Sequence, residues 1–168
     1  MSLQTYPAIL DYSNRQIDIE LLQSILKPGV DPQRVNLAVV TKSPKIVTGM
    51  EKLVQRYTLL LLTRIGEIHF DPTSGSSLMD ALLSGTIQSK GNLLTLFSLA
   101  NLSVMRTINQ EDSLTDIYGD MPLDEQLQSA NLTDASVDTA TATVYLNVSL
   151  TTKAGSNMEF IIPTTTPR

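Results

Sequence analysis

The sequence of 168 residues contains no cysteine, no tryptophan and a single histidine. The absence of cysteine excludes disulfide bonds, thiolate metal sites and cysteine nucleophiles. One histidine, His69, is too few for a histidine-rich metal site. Aromatic residues make up only 5% of the chain, so the core must be built from leucine, isoleucine, valine and methionine. We therefore expect an aliphatic protein that binds no metal and no cofactor.

Long hydrophobic runs are also absent. No apolar run exceeds that of residues 59–62, whereas a membrane-spanning helix needs about 20 apolar residues. The first twelve residues contain no basic region followed by an apolar stretch, so no secretory signal is expected. The sequence therefore predicts a protein that is made in a cytoplasm and does not contact a membrane.

Acidic and basic residues are unevenly distributed, although the net charge is only −5. Residues 107–152 contain no lysine or arginine, and the remaining nine acidic and twelve basic residues lie elsewhere. This asymmetry predicts oriented docking against charged neighbours, with solvated acidic loops as the alternative. The absence of a basic stripe argues against binding to nucleic acid. The acidic residues of the segment are Glu111, Asp112, Asp116, Asp120, Asp124, Glu125, Asp134 and Asp138.

The spacing of prolines divides the chain into an extended N-terminal arm, residues 1–46, and a domain, residues 47–168. Within the arm, apolar spacing predicts one short helix over residues 17–26, and a β-branched run predicts a strand over residues 35–40. Such an arm buries little surface of its own, so we expect it to lie on a partner. The prolines that interrupt it are Pro7, Pro28, Pro32 and Pro44.

The domain is predicted to contain helices followed by strands. A helix over residues 48–63 begins where Thr48 and Glu51 have the spacing of a capping box. A short helix ending near residue 83 and a long helix over residues 90–108 follow. Alternating apolar residues then predict strands over residues 127–137, 141–152 and 159–162, with a hairpin turn at residues 154–157. The order predicts an α+β fold, in which two main helices and a short one pack on a small antiparallel sheet.

The candidate chemistry of the chain is limited to one cluster. Glu67 and Asp71 flank His69, and two carboxylates with an imidazole could serve glycoside hydrolysis. Their spacing does not set a useful carboxylate separation, so the cluster favours a hydrogen-bonded connection between helices. The sequence also contains no Gly-x-Ser-x-Gly elbow, phosphate-binding loop or EF-hand. We therefore predict no enzymatic activity and keep a lysozyme-like glycosidase as the alternative.

One stretch resembles a known family. Residues 49–57 read GMEKLVQRY, residues 60–67 read LLLTRIGE and residues 70–78 read FDPTSGSSL. A helix ending in Leu-Leu-Thr, then Gly-Glu, then Pro and Gly before a short helix resembles the baseplate wedge family of contractile-tailed phages. This is the family of the sheath initiator, with counterparts in type VI secretion. The resemblance is specific over residues 47–84 and extends to the second helix and the C-terminal hairpin by order and length.

The resemblance implies a structural subunit of the virion that is assembled in the host cytoplasm. Its implied partners are other baseplate wedge proteins, the tail sheath protein, and tail tube or hub proteins; another tail or neck component of similar fold is an alternative. Family members often carry Glu-Pro-Arg after the second helix, where this chain has residues 122–127. The hairpin of residues 141–162 is the expected site of strand addition. The residues predicted to contact partners are Asp124, Glu125, Gln126, Val144, Leu146, Val148, Leu150 and Phe160.

Overall fold

The computed structural model describes residues 18–25, 34–39, 45–87, 89–115, 121–138, 141 and 143–165. Helices and strands are segregated along the chain, which confirms the predicted α+β fold. The elements are β1 (Asp18–Ile19), β2 (Leu22–Ile25), β3 (Arg34–Val39), β4 (Ile46–Val47), α1 (Gly49–Leu62), α2 (Leu78–Leu83), α3 (Lys90–Thr115), β5 (Leu127–Asp138), β6 (Thr143–Thr152) and β7 (Asn157–Thr165).

Five of the strands form one sheet in the order β2-β3-β7-β6-β5. β3 pairs with β7 in parallel, and the other neighbours in this sheet are antiparallel. The predicted hairpin is confirmed: β6 and β7 pair directly, and Gly155 turns the chain between them with φ of 83°. β1 and β4 form a separate two-stranded antiparallel sheet.

The N-terminal segment is joined to this architecture where it is described. The predicted strand over residues 35–40 is confirmed by β3, whereas the predicted helix over residues 17–26 is wrong, because β1 and β2 occupy its described part. The amides of Leu21 and Leu22 donate to the Gln55 side chain of α1 instead of to helical carbonyls. The predicted boundary at residue 46 falls within β4. Residues 1–17, with Pro7, and the segments holding Pro28, Pro32 and Pro44 lie outside the described residues.

The start of α1 differs from the predicted capping box. Thr48 precedes the helix, but its side chain makes no capping hydrogen bond. Gly49 has φ of 60°, a conformation that favours glycine, and its amide donates to Oε1 of Glu125 at 3.1 Å. A carboxylate distant in sequence therefore satisfies one of the free N–H groups of the first turn.

α3 ends at Thr115 rather than near residue 108 as predicted. Arg56 of α1 explains the extension, because its guanidinium contacts Glu111 and Asp112 and donates to the carbonyl of Ile108 at 3.2 Å. A cation at the C-terminal end of a helix also stabilises the helix dipole. The acidic last turn of α3 is thus held in helical conformation by a residue of another helix.

The core lies between the helices and one face of the sheet. Its central aromatic pair is Tyr57 of α1 and Phe160 of β7, whose ring centroids are 6.4 Å apart at 80°. Complete burial of one large aliphatic side chain contributes about 1.5–3 kcal/mol, so this cluster supplies the main stabilisation. The apolar residues that recur at steps of three and four on the two long helices are buried in it: Val54, Tyr57 and Leu61 of α1, and Leu93, Phe97, Ala100 and Val104 of α3. Its fully buried large residues include Leu53, Leu61, Leu78, Leu82, Leu93, Phe97, Ile108, Leu127, Leu146 and Leu150.

Candidate protein-interaction surface

The hairpin side chains predicted to contact partners belong to the core of this chain. Each of them is at most 2% exposed, because this face of the sheet is covered by α1 and α3. They are Val144, Leu146, Val148, Leu150 and Phe160. The prediction that these side chains contact a partner therefore needs correction: their role is to pack the sheet against the helices.

The strands of the hairpin are also inner strands. β6 lies between β5 and β7, and β7 lies between β6 and β3. Both edges of the hairpin thus have neighbours within this chain: β5 pairs along β6, and β3 pairs with residues 159–161 of β7. The strand edge expected on residues 141–162 must be sought elsewhere in the sheet.

The turn before β5 is an internal joint. Glu125 is only 3% exposed and pairs at 3.3 Å with Lys52 of α1, which is also buried, at 8% exposure. Gln126 donates to the carbonyl of Met121 at 2.6 Å and accepts a hydrogen bond from Lys153 at 2.8 Å. Asp124 is half-buried. Of the three predicted contact residues, Glu125 is enclosed, and only Asp124 and Gln126 reach the surface in part.

The cluster around His69 forms a tight loop. Asp71 accepts hydrogen bonds from the hydroxyls of Ser74 and Thr73, and these bonds hold the pKa of the Asp71 carboxyl below its ordinary value. The Glu67 side chain accepts from the amide of Arg64 at 3.1 Å. A general acid of a glycosidase needs a raised pKa, which is the opposite shift. The geometry therefore favours the predicted hydrogen-bonded connection.

The described part of the chain contains neither a cluster of metal ligands nor a membrane-spanning helix. Among these residues, no three histidine, cysteine, aspartate or glutamate side chains come together as a metal site would require. No helix in the same part of the chain combines the length and apolar character needed to cross a membrane.

The long edge strand of the five-stranded sheet is β5; the other edge strand, β2, has four residues. Among the described strands β5 pairs only with β6, so its other side forms one edge of the five-stranded sheet. Its 12 residues span about 40 Å. The register against β6 shifts between Leu127 and Ser129 and again between Leu132 and Asp134. Irregularities of this kind are common on edge strands, where they limit unwanted pairing.

α3 runs beside β5 in the opposite direction. Lys90, at the start of α3, pairs with Asp134 at 2.7 Å, and Asn101, in the middle of α3, donates to the carbonyl of Ala130 at 2.8 Å. Between the two elements lies a cavity of about 350 Å³ that is open to solvent. We call it the edge groove. It is lined by Leu94, Phe97, Ser98, Asn101, Leu102, Ala130, Asn131 and Leu132.

The outer side of α3 adds apolar surface next to this groove. Leu102 is 65% exposed and Leu94 is 41% exposed, although both line the groove. Leu99 is 58% exposed on the same helix. Apolar spacing predicted Leu94 as part of the buried face of α3 and assigned no role to Leu99 and Leu102. Their signal was their position outside the spacing of Leu93, Phe97 and Val104, which the fold does bury.

Comparisons of this chain with protein-family models, with curated proteins and with solved structures found no match. The functional inference therefore rests on the edge groove and on the resemblance of residues 47–84 that the sequence presents.

Proposed function

We propose that this protein is a structural subunit of a contractile phage tail baseplate, which binds neighbouring proteins through the open side of β5. In this role it links the wedge core to the tail tube and sheath and provides an edge on which sheath assembly begins. Its partners are other wedge proteins, the tail sheath protein, and tube or hub proteins of the tail. The protein is then part of the virion.

The observation that carries the proposal is the long edge strand. An edge strand presents unpaired N–H and C=O groups, and an extended segment of another chain gains main-chain hydrogen bonds by adding to it. The exposed leucines of α3 lie where they can cover such a segment, because Leu94 and Leu102 line the groove beside β5. Main-chain pairing and apolar contact are thereby available at one site.

The charge of the chain supports a directed contact. β5, β6 and the end of α3 belong to residues 107–152, in which acidic residues occur without lysine or arginine, whereas Lys90 and Arg106 of α3 lie before this segment. A field of one sign steers a partner of opposite sign and disfavours partners of the same sign. We therefore expect the neighbour at this edge to carry lysine or arginine.

The proposal is tested in a phage that encodes this chain. Electron cryo-microscopy of its tails should show the subunit at the baseplate, and a nonsense mutation in its gene should yield tubes without an ordered sheath. Intact contractile tails assembled without the protein would disprove the proposed function. Restoring the parent gene in trans provides the control for polar effects of the mutation.

A matched pair of substitutions tests the surface. Leu102→Asn places a polar side chain in the edge groove, whereas Leu114→Asn changes a residue of the same helix with similar exposure, 63% against 65%, that does not line the groove. Leu114→Asn should restore tail assembly in the complementation assay and Leu102→Asn should not. If both variants restored tail assembly equally, the edge groove would not be the surface that binds the partner.

A further inference from the structure

The open side of β5 consists of two runs that differ in access. The register against β6 shifts between Leu132 and Asp134, so Thr133 is the extra residue, and its hydroxyl donates to the carbonyl of Asn147. Residues 129–132 form the first run and residues 134–138 the second. An added strand keeps a regular ladder only along a regular run, so each run is a separate candidate for pairing.

The side chain of Asn101, on α3, forms a hydrogen bond with the main chain of the first run. Its Nδ2 donates to the carbonyl of Ala130 at 2.8 Å, and its Oδ1 accepts from the hydroxyl of Tyr57 at 2.8 Å. The orientation of the amide follows from this pairing, because a carbonyl can only accept and therefore must face the nitrogen. Tyr57 is fully buried, so the amide is held from inside the core. One main-chain acceptor of the first run is thus already used by this chain.

The second run borders a different space. A slot of about 290 Å³ opens beside it, and Val137 on its wall is 57% exposed while Ala135 is buried. The slot has an apolar lining with a charged residue at the rim, where Lys90 pairs with Asp134. It can receive one apolar side chain of an adjacent strand. The lining residues are Ile87, Ser89, Lys90, Leu93, Ala135 and Val137.

We propose that Asn101 determines where a partner strand pairs: it uses a main-chain acceptor of the first run, so the strand forms its hydrogen bonds along the second run, and the adjoining part of the same partner contacts the edge groove through side chains only. The occupant is an extended segment of a different protein, with an apolar side chain in the slot and a lysine or arginine near Asp138. This inference rests on the proposed function, because it specifies the partner of the same edge.

Charge argues against a second copy of this chain as the occupant. Two copies paired antiparallel about Ser136 would place Asp134 of each directly opposite Asp138 of the other, so the cation at this position, Lys90 on Asp134, would face two carboxylates. Like charges in directly opposed positions destabilise a strand pair. A basic side chain on a different protein removes this repulsion, and it matches the acidic character of residues 107–152.

The test is photo-crosslinking in assembled tails. Benzoylphenylalanine is placed at Ser136 in the second run, at Asn131 in the first run, or at Glu51 on α1 as a control; all three positions are exposed. We expect a strong cross-link from Ser136 to a different tail protein, a weaker one from Asn131, and none from Glu51. The cross-linked peptide should contain alternating apolar residues and a lysine or arginine. Asp138→Asn, which keeps an oxygen for the hydroxyl of Thr141, should reduce the yield from Ser136.

A second variant examines Asn101 itself. Asn101→Asp keeps an acceptor for Tyr57 but cannot donate to Ala130, so the cross-link from Asn131 should strengthen while that from Ser136 persists. Thermal unfolding of the variant shows whether the fold is retained, and Asn101→Ala replaces it if the charge prevents folding. Equal cross-linking from Asn131 and Ser136 in the parent, or a product from Ser136 that contains only a second copy, would overturn the inference and leave the proposed function standing. Absence of any cross-link from either run in assembled tails would instead contradict docking at β5.

Discussion

At the scale of single residues, Tyr57 connects the three elements that form the candidate surface. Its ring lies edge-on to Phe160 in the core, and its hydroxyl holds Asn101, which in turn holds the edge strand at Ala130. Complete burial raises the pKa of Tyr57 above its ordinary value of 10.0, because the charged phenolate would be desolvated. The phenol therefore keeps the proton that it donates to Asn101.

This shift predicts a dependence of stability on alkaline pH. The native state retains the Tyr57 proton at pH values where the unfolded chain releases it, so the free energy of unfolding should fall as pH rises through 10.0 and continue to fall up to the native pKa. Tyr57→Phe should lose about 0.5–1.5 kcal/mol at neutral pH, where the hydrogen bond to Asn101 is missing. The same variant should also show a weaker decline above pH 10.0. Urea unfolding at several pH values measures both effects.

Tyr145→Phe is the control, because Tyr145 is half-buried on β6 and the change leaves Tyr57 in place. It should keep the alkaline decline of the parent. An identical decline in the Tyr57→Phe variant and the parent would contradict the assignment of this slope to Tyr57.

Buried apolar residues could be predicted from the sequence, whereas the buried polar residues Gln55 and Glu125 could not. The buried rows of α1 and α3 follow from a spacing of three and four, which is a local property. Gln55 and Glu125 have no such signal: each is polar, buried and bonded to groups more than thirty positions away. Their roles depend on which segments meet in three dimensions, and local patterns do not carry that information.

At the scale of elements, the start of α1 depends on the turn before β5. Glu125 accepts the hydrogen bond of the Gly49 amide and the ion pair of Lys52, and both partners are buried. Removing one member of a buried ion pair leaves a charge that water cannot reach. The helix and the turn should therefore be lost together when this joint is broken.

We expect Glu125→Ala to lower the free energy of unfolding by about 3–5 kcal/mol, because the Lys52 ammonium and the Gly49 amide lose their partner. Glu51→Ala is the matched change at the residue that the capping box assigned to this role; Glu51 is exposed, so we expect an effect within about 0.5 kcal/mol. Guanidinium unfolding of the parent and both variants measures these losses in the free energy of unfolding. A larger loss of stability in Glu51→Ala than in Glu125→Ala would instead support the predicted capping box at the start of α1.

The positions of the strands along the chain were predicted more accurately than the pairing of each strand within the sheet. Alternating apolar residues located β5, β6 and β7, since the face of a strand is a local property. The identity of the edge strand is not local: β7 becomes an inner strand only because β3, which precedes it by more than a hundred residues, pairs with it. The prediction placed the docking edge on the hairpin of β6 and β7, whereas the long edge strand of the sheet is β5.

At the scale of the whole molecule, the N-terminal strands β2 and β3 extend the five-stranded sheet beyond β7. β3 covers β7 through the pairs Val35 with Phe160 and Asn36 with Ile161, and Gln55 binds the segment around Ile19 and Leu21 to α1. If these strands are integral to the fold, β7 is an inner strand and the edges of the sheet are the short strand β2 and the long strand β5. If they are a separable arm, the sheet has a second potential docking edge at β7.

Deletion of residues 1–47 distinguishes these two descriptions. The truncated chain should expose the edge of β7 and self-associate with rising concentration, because an uncovered flat edge pairs with its like. Sedimentation velocity of the truncated and full-length chains measures this. Ile161→Lys in the truncated chain should restore the monomer, since lysine on an exposed edge opposes strand pairing. A truncated chain that stays monomeric and unfolds at the same urea concentration as the full chain would make the N-terminal strands a dispensable arm. The surface for assembly would then include both edges of the sheet.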